Sequence, residues 1–107
     1  MAKIRAIVKR TDEQYGHVTN ISSTLKNLQK IVEGPIETVK VMEDMVIICN
    51  EEGKLRGLDA NFVCGQDIIV GEVAVVGVDG EEFSDVPIDL PTWKWILKSW
   101  GNQICQR

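Results

Sequence analysis

Residues 68 to 78 read Ile-Ile-Val-Gly-Glu-Val-Ala-Val-Val-Gly-Val, and no other stretch limits so strongly what this chain can fold into. β-branched side chains are stiff at χ1 and pack well on a pleated surface. The stretch therefore predicts one long strand, interrupted and bulged at Gly71. Asp79-Gly80 is a hairpin signal, and Glu81 to Val86 reads as the returning strand, acidic and half-exposed.

The remaining elements follow from periodicity. Ala2 to Lys9 alternates apolar Ile4 and Ala6 with Lys3 and Arg5, predicting a strand with one core face and one basic face. Tyr15 to Ile21 is a second short strand after the polar turn at Thr11 to Gln14. Ser22 or Ser23 then caps a helix in which Leu25, Leu28, Ile31 and Val32 form one apolar stripe. Gly34-Pro35 ends it, since Gly accepts a left-handed backbone and Pro cannot continue the ladder. Strands at Ile36 to Met42 and Met45 to Asn50 are joined by Glu43-Asp44. The next turn, Asn50 to Lys54, assigns a positive φ to Gly53. Leu55 to Gly65 reads as irregular or short-stranded. Asp89 caps a last helix with Pro91 in its first turn. Trp93, Ile96, Leu97, Trp100 and Ile104 share one face of it, and Trp95 falls off that face. Trp95 either covers a sheet edge or stands exposed as an interface anchor. The order β-β-α-β-β-loop-β-β-α is that of an α+β domain. An antiparallel (or mixed) sheet of about five to six strands is packed by two helices, and residues 1–107 form one domain.

At 107 residues, 44 % of them apolar and 26 % charged, the composition is that of a single globular domain. The longest uncharged runs fall far short of the roughly 18 residues of a membrane span, and no apolar signal stretch opens the chain. The expectation is a cytoplasmic protein. Cys49, Cys64 and Cys105 are odd in number and widely spaced, which suits free cysteines packed as small apolar residues.

Charge is unevenly placed. Residues 41 to 90 hold twelve of the sixteen carboxylates and two basic residues, a formal charge of −10, whereas the first ten residues carry +4. A block of that sign repels nucleic acid and attracts basic partners. Glu72, Asp79, Glu81, Glu82, Asp85 and Asp89 are expected to line one acidic edge, with Glu43, Asp44, Glu51 and Glu52 beside it. Of these, Glu72, Asp79, Glu81, Glu82 and Asp85, together with Trp95, are the expected partner-binding residues. The alternative is that acidic hairpin tips only keep sheet edges soluble.

Catalytic and cofactor chemistry finds no motif. His17 is the only histidine, no nucleophile motif surrounds Ser84 or Cys49, and no zinc-ligand spacing occurs. The carboxylate pairs at 43–44, 51–52 and 81–82 sit in or beside turns, where neighbours point apart. No EF-hand loop, phosphate loop or dinucleotide fingerprint is present. The expectation is a non-enzymatic protein without metal or cofactor. The basic strand at Lys3, Arg5, Lys9 and Arg10 could touch phosphate, but the acidic block opposes it.

Between Leu28 and Phe83 several runs carry a family likeness. They are Leu28-x-x-Ile31-Val32-Glu33-Gly34 with Ile36-Glu37-x-Val39, Val46-x-Ile48 with Cys49-Asn50-Glu51-Glu52-Gly53-Lys54, and Gly57-Leu58. Asp67-x-Ile69-x-Gly71 and Val75-Val76-Gly77-x-Asp79-Gly80-Glu81 complete the set. On these residues the chain resembles a small phage- and plasmid-borne bacterial domain family of unknown function, from whose pattern it departs after Val86. The resemblance implies short cargo proteins of mobile genetic elements and brings no catalytic residues. In size, acidity and lack of catalytic motif such cargo is similar in kind to anti-defence proteins, among them the anti-CRISPR inhibitors. The resulting expectation is an inhibitor that binds an RNA-guided CRISPR nuclease and blocks guide RNA or DNA loading. Two alternatives stay open. One is a module binding a nucleotide signal near the Asn50 to Lys54 turn, with Lys54 and Arg56 on phosphate. The other is a nucleic-acid-binding accessory protein using the basic strand.

Overall fold

In the computed structural model, which describes residues 3–102, the N-terminal alternation becomes β1 (Lys3–Lys9), with Ile4 and Ala6 buried and Lys3 and Arg5 exposed. β2 (His17–Ser22) runs back along it, with register pairs from Lys3–Ser22 to Val8–His17. Then follow α1 (Leu25–Val32), β3 (Ile36–Met42), β4 (Met45–Asn50), β5 (Ala60–Cys64), β6 (Asp67–Val70), β7 (Val73–Asp79), β8 (Glu82–Ser84) and α2 (Leu90–Ser99). The main sheet has the order β2-β1-β7-β4-β3, all antiparallel. β8 pairs with β7 past the end of β1 and completes the six strands. β5 and β6 form a separate two-stranded hairpin. The fold is therefore α+β, as the periodicity predicts.

The long strand expected over residues 68 to 78 is two strands in two sheets. Gly71, at φ 78°, turns a corner between them rather than bulging one strand. Its N–H donates to the Asp59 carbonyl at 2.8 Å and its own carbonyl accepts from Asn61 Nδ2 at 2.8 Å. Those bonds satisfy the backbone locally, so no ladder runs through the corner.

β4 is buried at every position and β7 over Val73 to Gly77. This is possible because the sheet is covered on both faces. On one face Ile4, Ala6, Ile48, Ala74 and Val76 meet Leu28 and Val32 of α1. On the other, Ile7, Ile47, Val73 and Val75 meet Trp93 and Leu97 of α2 and Phe62 and Ile69 of the β5–β6 hairpin. A doubly covered strand reads as a continuous apolar run, which is why alternation is missing there.

Local details differ from expectation in four places. Thr24, not Ser22 or Ser23, caps α1, because Ser22 is still in β2 and the Thr24 hydroxyl reaches the Asn27 N–H at 3.3 Å. Leu25 stays exposed rather than joining the stripe. α1 closes on Glu33, whose left-handed φ of 66° precedes Gly34. Gly53 does not take a positive φ; a Cβ there would lie 2.7 Å from Val70 Cγ2, so close approach explains the glycine. Asp89 caps α2 as predicted, its carboxyl held low by the Thr92 hydroxyl and N–H. Ile104 and Cys105 lie outside the described residues. Among the described residues no helix is long and apolar enough to cross a membrane.

Candidate functional site

Antiparallel topology sorts the acidic residues by which end of the sheet their turn occupies. The β3–β4 turn, Glu43-Asp44, lies against the β7–β8 hairpin: Val78 N–H donates to the Asp44 carbonyl at 2.9 Å, and Met45 is paired with Gly77. Glu43, Asp44, Asp79, Glu81 and Glu82 are all exposed at this end. Two hairpins thus present five carboxylates at one end, Glu43 in an exposed ion pair with Lys40 at 3.3 Å, with β7 and β4 as their common support. Like charges held side by side raise the local negative potential beyond what separate turns would give.

The other expected residues sit elsewhere. Glu72 precedes β7, so the strand's length puts it roughly 20 Å from Asp79, and its carboxylate accepts from the Thr11 N–H at 3.0 Å. Glu51 and Glu52 follow β4 and lie at that same far end. Asp85 is near the acidic tip, but Oδ1 accepts from the Arg5 N–H at 2.8 Å, extending the ladder where β8 replaces β7 beside β1. Trp95 is 68 % exposed on α2, so of the two expectations for it, exposure is the outcome.

The basic strand does not present its four cations to one surface. Lys9 is 3 % exposed, with Nζ donating to Asn61 Oδ1 at 2.6 Å and to the Glu13 carbonyl at 2.7 Å, 5.7 Å from the Phe62 ring centre. Burial lowers its pKa, opposed by the Glu13, Glu72 and Asp12 carboxylates. Arg10 pairs with Asp12 at 3.5 Å, and the Arg5 guanidinium donates to the Val86 carbonyl. His17, half-exposed, faces the Glu13 carboxylate at 2.8 Å. Among the described residues no group of three or more His, Cys, Asp or Glu side chains is placed to hold a metal ion.

The Cys49 to Lys54 run builds a different feature. Asn50, 4 % exposed, donates Nδ2 to the Val32 carbonyl at 3.0 Å and accepts from the Glu52 N–H at 2.7 Å. It thereby ties the end of α1 to the turn after β4. That turn, β3 and β6 enclose a cavity of about 130 Å³. Lys54 Nζ closes on Asp67 Oδ1 at 2.5 Å at its rim. Arg56 points away, donating to the Glu33 carbonyl at 2.8 Å. The two cations expected to share a phosphate are therefore separated.

Cys49 lines this cavity. Burial, and after it the Glu37 and Asp67 carboxylates, push its thiol up to about 11 from the ordinary 9.0. The folded protein keeps this proton longer than the unfolded chain does, so stability falls as pH rises from about 9 to 11. Lys9, with its pKa lowered, acts in the opposite sense in the alkaline range. Between pH 8 and 10 the wild type is expected to lose about 1 kcal/mol more than Cys49→Ala. Lys9 is common to both proteins, so urea midpoints at the two pH values isolate the thiol; parallel losses would contradict the assignment.

These observations define a small α+β domain whose antiparallel sheet is covered on both faces and ends in a pair of acidic turns. Residues 4–98 match the family described as a domain of unknown function, DUF3846, and the chain belongs to that family. The match runs through most of α2, so the Trp-bearing helix lies inside the family region rather than beyond it. No curated protein matches the chain. No solved structure matches it either.

Proposed function

We propose that this protein is a non-catalytic inhibitor that docks the acidic end of its sheet into a basic, nucleic-acid-binding groove of a partner protein. The observation that carries the reading is the convergence of Glu43, Asp44, Asp79, Glu81 and Glu82 on one end of the sheet. A groove built for DNA or RNA responds to negative potential before it responds to sequence, so rigid carboxylates can compete for it. Exposed Trp95 supplies a second contact of the kind that anchors interfaces. Carriage by a phage or plasmid and action against a host defence protein fit this chemistry. An RNA-guided CRISPR nuclease, whose empty guide channel is basic, is the partner we propose, with blocked guide loading as the result.

The test is capture of purified effector nucleases by tagged protein, with and without preloaded guide RNA. Capture of the guide-free nuclease is expected, reduced by preloaded guide and by salt. Reversing the charges at Asp79, Glu81 and Glu82 to Lys is expected to weaken it at least tenfold, about 1.4 kcal/mol. Binding indifferent to both salt and charge reversal, or no nuclease captured in either state, would overturn the proposal.

A further inference from the structure

The two outer strands of the main sheet, β2 and β3, are not defended alike. β3 carries Glu37 and Lys40 and a register shift between Lys40 and Met42, devices that keep other strands from adding there. β2 reads His-Val-Thr-Asn-Ile-Ser, with no lysine, proline or bulge, and its Val18 is 43 % exposed. Which β2 groups face outward follows from Arg5. Its N–H donates to Asp85 Oδ1 and its carbonyl accepts from the Val86 N–H, both on the side away from β2. Arg5 and Asn20 therefore form a non-hydrogen-bonded pair, and by alternation so do Ile7 with Val18 and Lys3 with Ser22. The N–H and C=O groups of Val18 and Asn20 thus point out from the sheet, and among the described residues no loop or side chain takes them up. The Ser22 carbonyl, next along the edge, is closed off by Asn27 Nδ2 at 2.9 Å.

This edge is self-complementary in one register. A two-fold axis perpendicular to the sheet and centred on Thr19 sets Val18 of each copy opposite Asn20 of the other, and every outward group of the two residues is paired. Centring on Asn20 instead sets Val18 opposite Ser22, whose carbonyl is already taken. Centring on Val18 sets Asn20 opposite Gly16, which lies outside the strand at φ 96°. In the Thr19 register the two threonines meet across the axis, a favourable cross-strand pair, and the two Val18 side chains become diagonal neighbours. Charge selects the same arrangement. α1 starts just beyond the Ser22 end of β2 and carries no acid, while Lys26 and Lys30 are in none of the ion pairs among the described residues. The turn at the His17 end carries Asp12 and Glu13 against the single cation Arg10. The two-fold brings the start of α1 in each copy toward the acidic turn of the other, at both ends of the joint.

We infer that the β2 edge is the docking site of a second copy of this chain, joined antiparallel about Thr19 into one continuous sheet. The joint is short, six residues of strand from each copy, so the association is weak and reversible. The acidic turns lie toward the Ser22 end of β2, because β7 runs antiparallel to β1 and β1 antiparallel to β2. Antiparallel pairing therefore sends the two acidic ends to opposite poles of the dimer and leaves both uncovered.

The experiment is sedimentation velocity of the purified full chain from about 10 µM to 1 mM, with amide exchange of the ¹⁵N-labelled protein at both limits. A concentration-dependent dimer is expected, with the Val18 and Asn20 amides protected only at the high limit. Thr19 and Ile21, whose amides face β1, should be protected at both. Val18→Lys sets like charges beside one another across the axis and should weaken association at least tenfold. Lys26→Glu, on the exposed face of α1, should weaken it roughly two- to fivefold, the range of an exposed ion pair. Thr38→Lys, on the β3 edge, should leave it unchanged. A dispersed spectrum for each variant confirms that it is folded. Monomer at every concentration, a dimer that survives Val18→Lys, one that Thr38→Lys abolishes, or one in which Val18 and Asn20 stay unprotected would each overturn the assignment. No partner protein enters these measurements, so their failure leaves the inhibitor reading to be judged on its own test.

Discussion

Replacing Trp93 with alanine is expected to cost about 3–5 kcal/mol, the range for truncating a fully buried aromatic residue. Domains of this kind have roughly 5–15 kcal/mol in total, so the variant should be marginal at 25 °C. Trp93 is completely buried and packs edge-to-face on Phe62 at 5.6 Å and on Trp100 at 5.9 Å. Phe62 and Trp100 in turn stack with centroids 6.1 Å apart. One ring therefore joins α2 to the β5–β6 hairpin. Its indole N–H donates to the Tyr15 carbonyl at 3.0 Å, which also fixes the loop between β1 and β2. Alanine removes the ring contacts and the indole hydrogen bond to the Tyr15 carbonyl. Trp93→Phe keeps part of the packing and loses the hydrogen bond, so about 1–2 kcal/mol is expected from it. Urea unfolding followed by far-ultraviolet circular dichroism ranks the two variants without relying on the deleted fluorophore. A cost below about 1 kcal/mol for Trp93→Ala would mean that the aromatic cluster does not bear on this core as described.

Which parts of this fold could be read from the sequence depends on how local their causes are. The cap at Asp89, the two-residue turn at Glu43-Asp44 and the amphipathic β1 each follow from a few adjacent residues, and all appear where expected. The split of the 68–78 stretch does not. Whether Gly71 bulges a strand or ends it depends on Asn61 and Asp59 arriving from another segment. Lys9 is the same kind of case. In sequence it continues a basic run, but Asn61 and the Glu13 carbonyl fold over it, and these bonds allow the burial. The acidic block is contiguous in sequence but divided in space, because successive antiparallel turns fall at opposite ends of a sheet. Glu43, Asp44, Asp79, Glu81 and Glu82 are thus brought together, while Glu51, Glu52 and Glu72 go to the far end. Recognising that division needs the strand order, which no single turn specifies. The cavity at the Cys49 to Lys54 run is similar: its sequence signal is strong, but β6 and β3 supply half its lining.

Gly77→Ala is expected to cost about 3 kcal/mol, the upper part of the range for overpacking, and to disable the acidic end without changing its charge. Gly77 is paired with Met45 on one side and Ser84 on the other. A Cβ there would lie 2.2 Å from the Asp85 carbonyl oxygen and 2.8 Å from the Ser84 hydroxyl. The first of these is backbone, so it yields only if β8 moves. β8 cannot move alone, because Asp85 accepts from the Arg5 N–H and Val86 N–H donates to the Arg5 carbonyl at 2.8 Å. Relief of the clash therefore breaks the junction with β1 and shifts Glu81 and Glu82 relative to Glu43 and Asp44. Gly80→Ala is the instructive contrast. Gly80 has a left-handed φ of 66° with nothing within 4 Å of a Cβ, so only backbone strain, about 1 kcal/mol, is expected. Both variants keep every carboxylate. If partner capture depends on the arrangement of charge and not merely its amount, Gly77→Ala should lose it under conditions where circular dichroism shows the protein folded, and Gly80→Ala should retain it. Equal stability of the two variants would contradict the close approach at Gly77. Equal capture by both, with Gly77→Ala destabilised as expected, would mean that net charge alone does the binding.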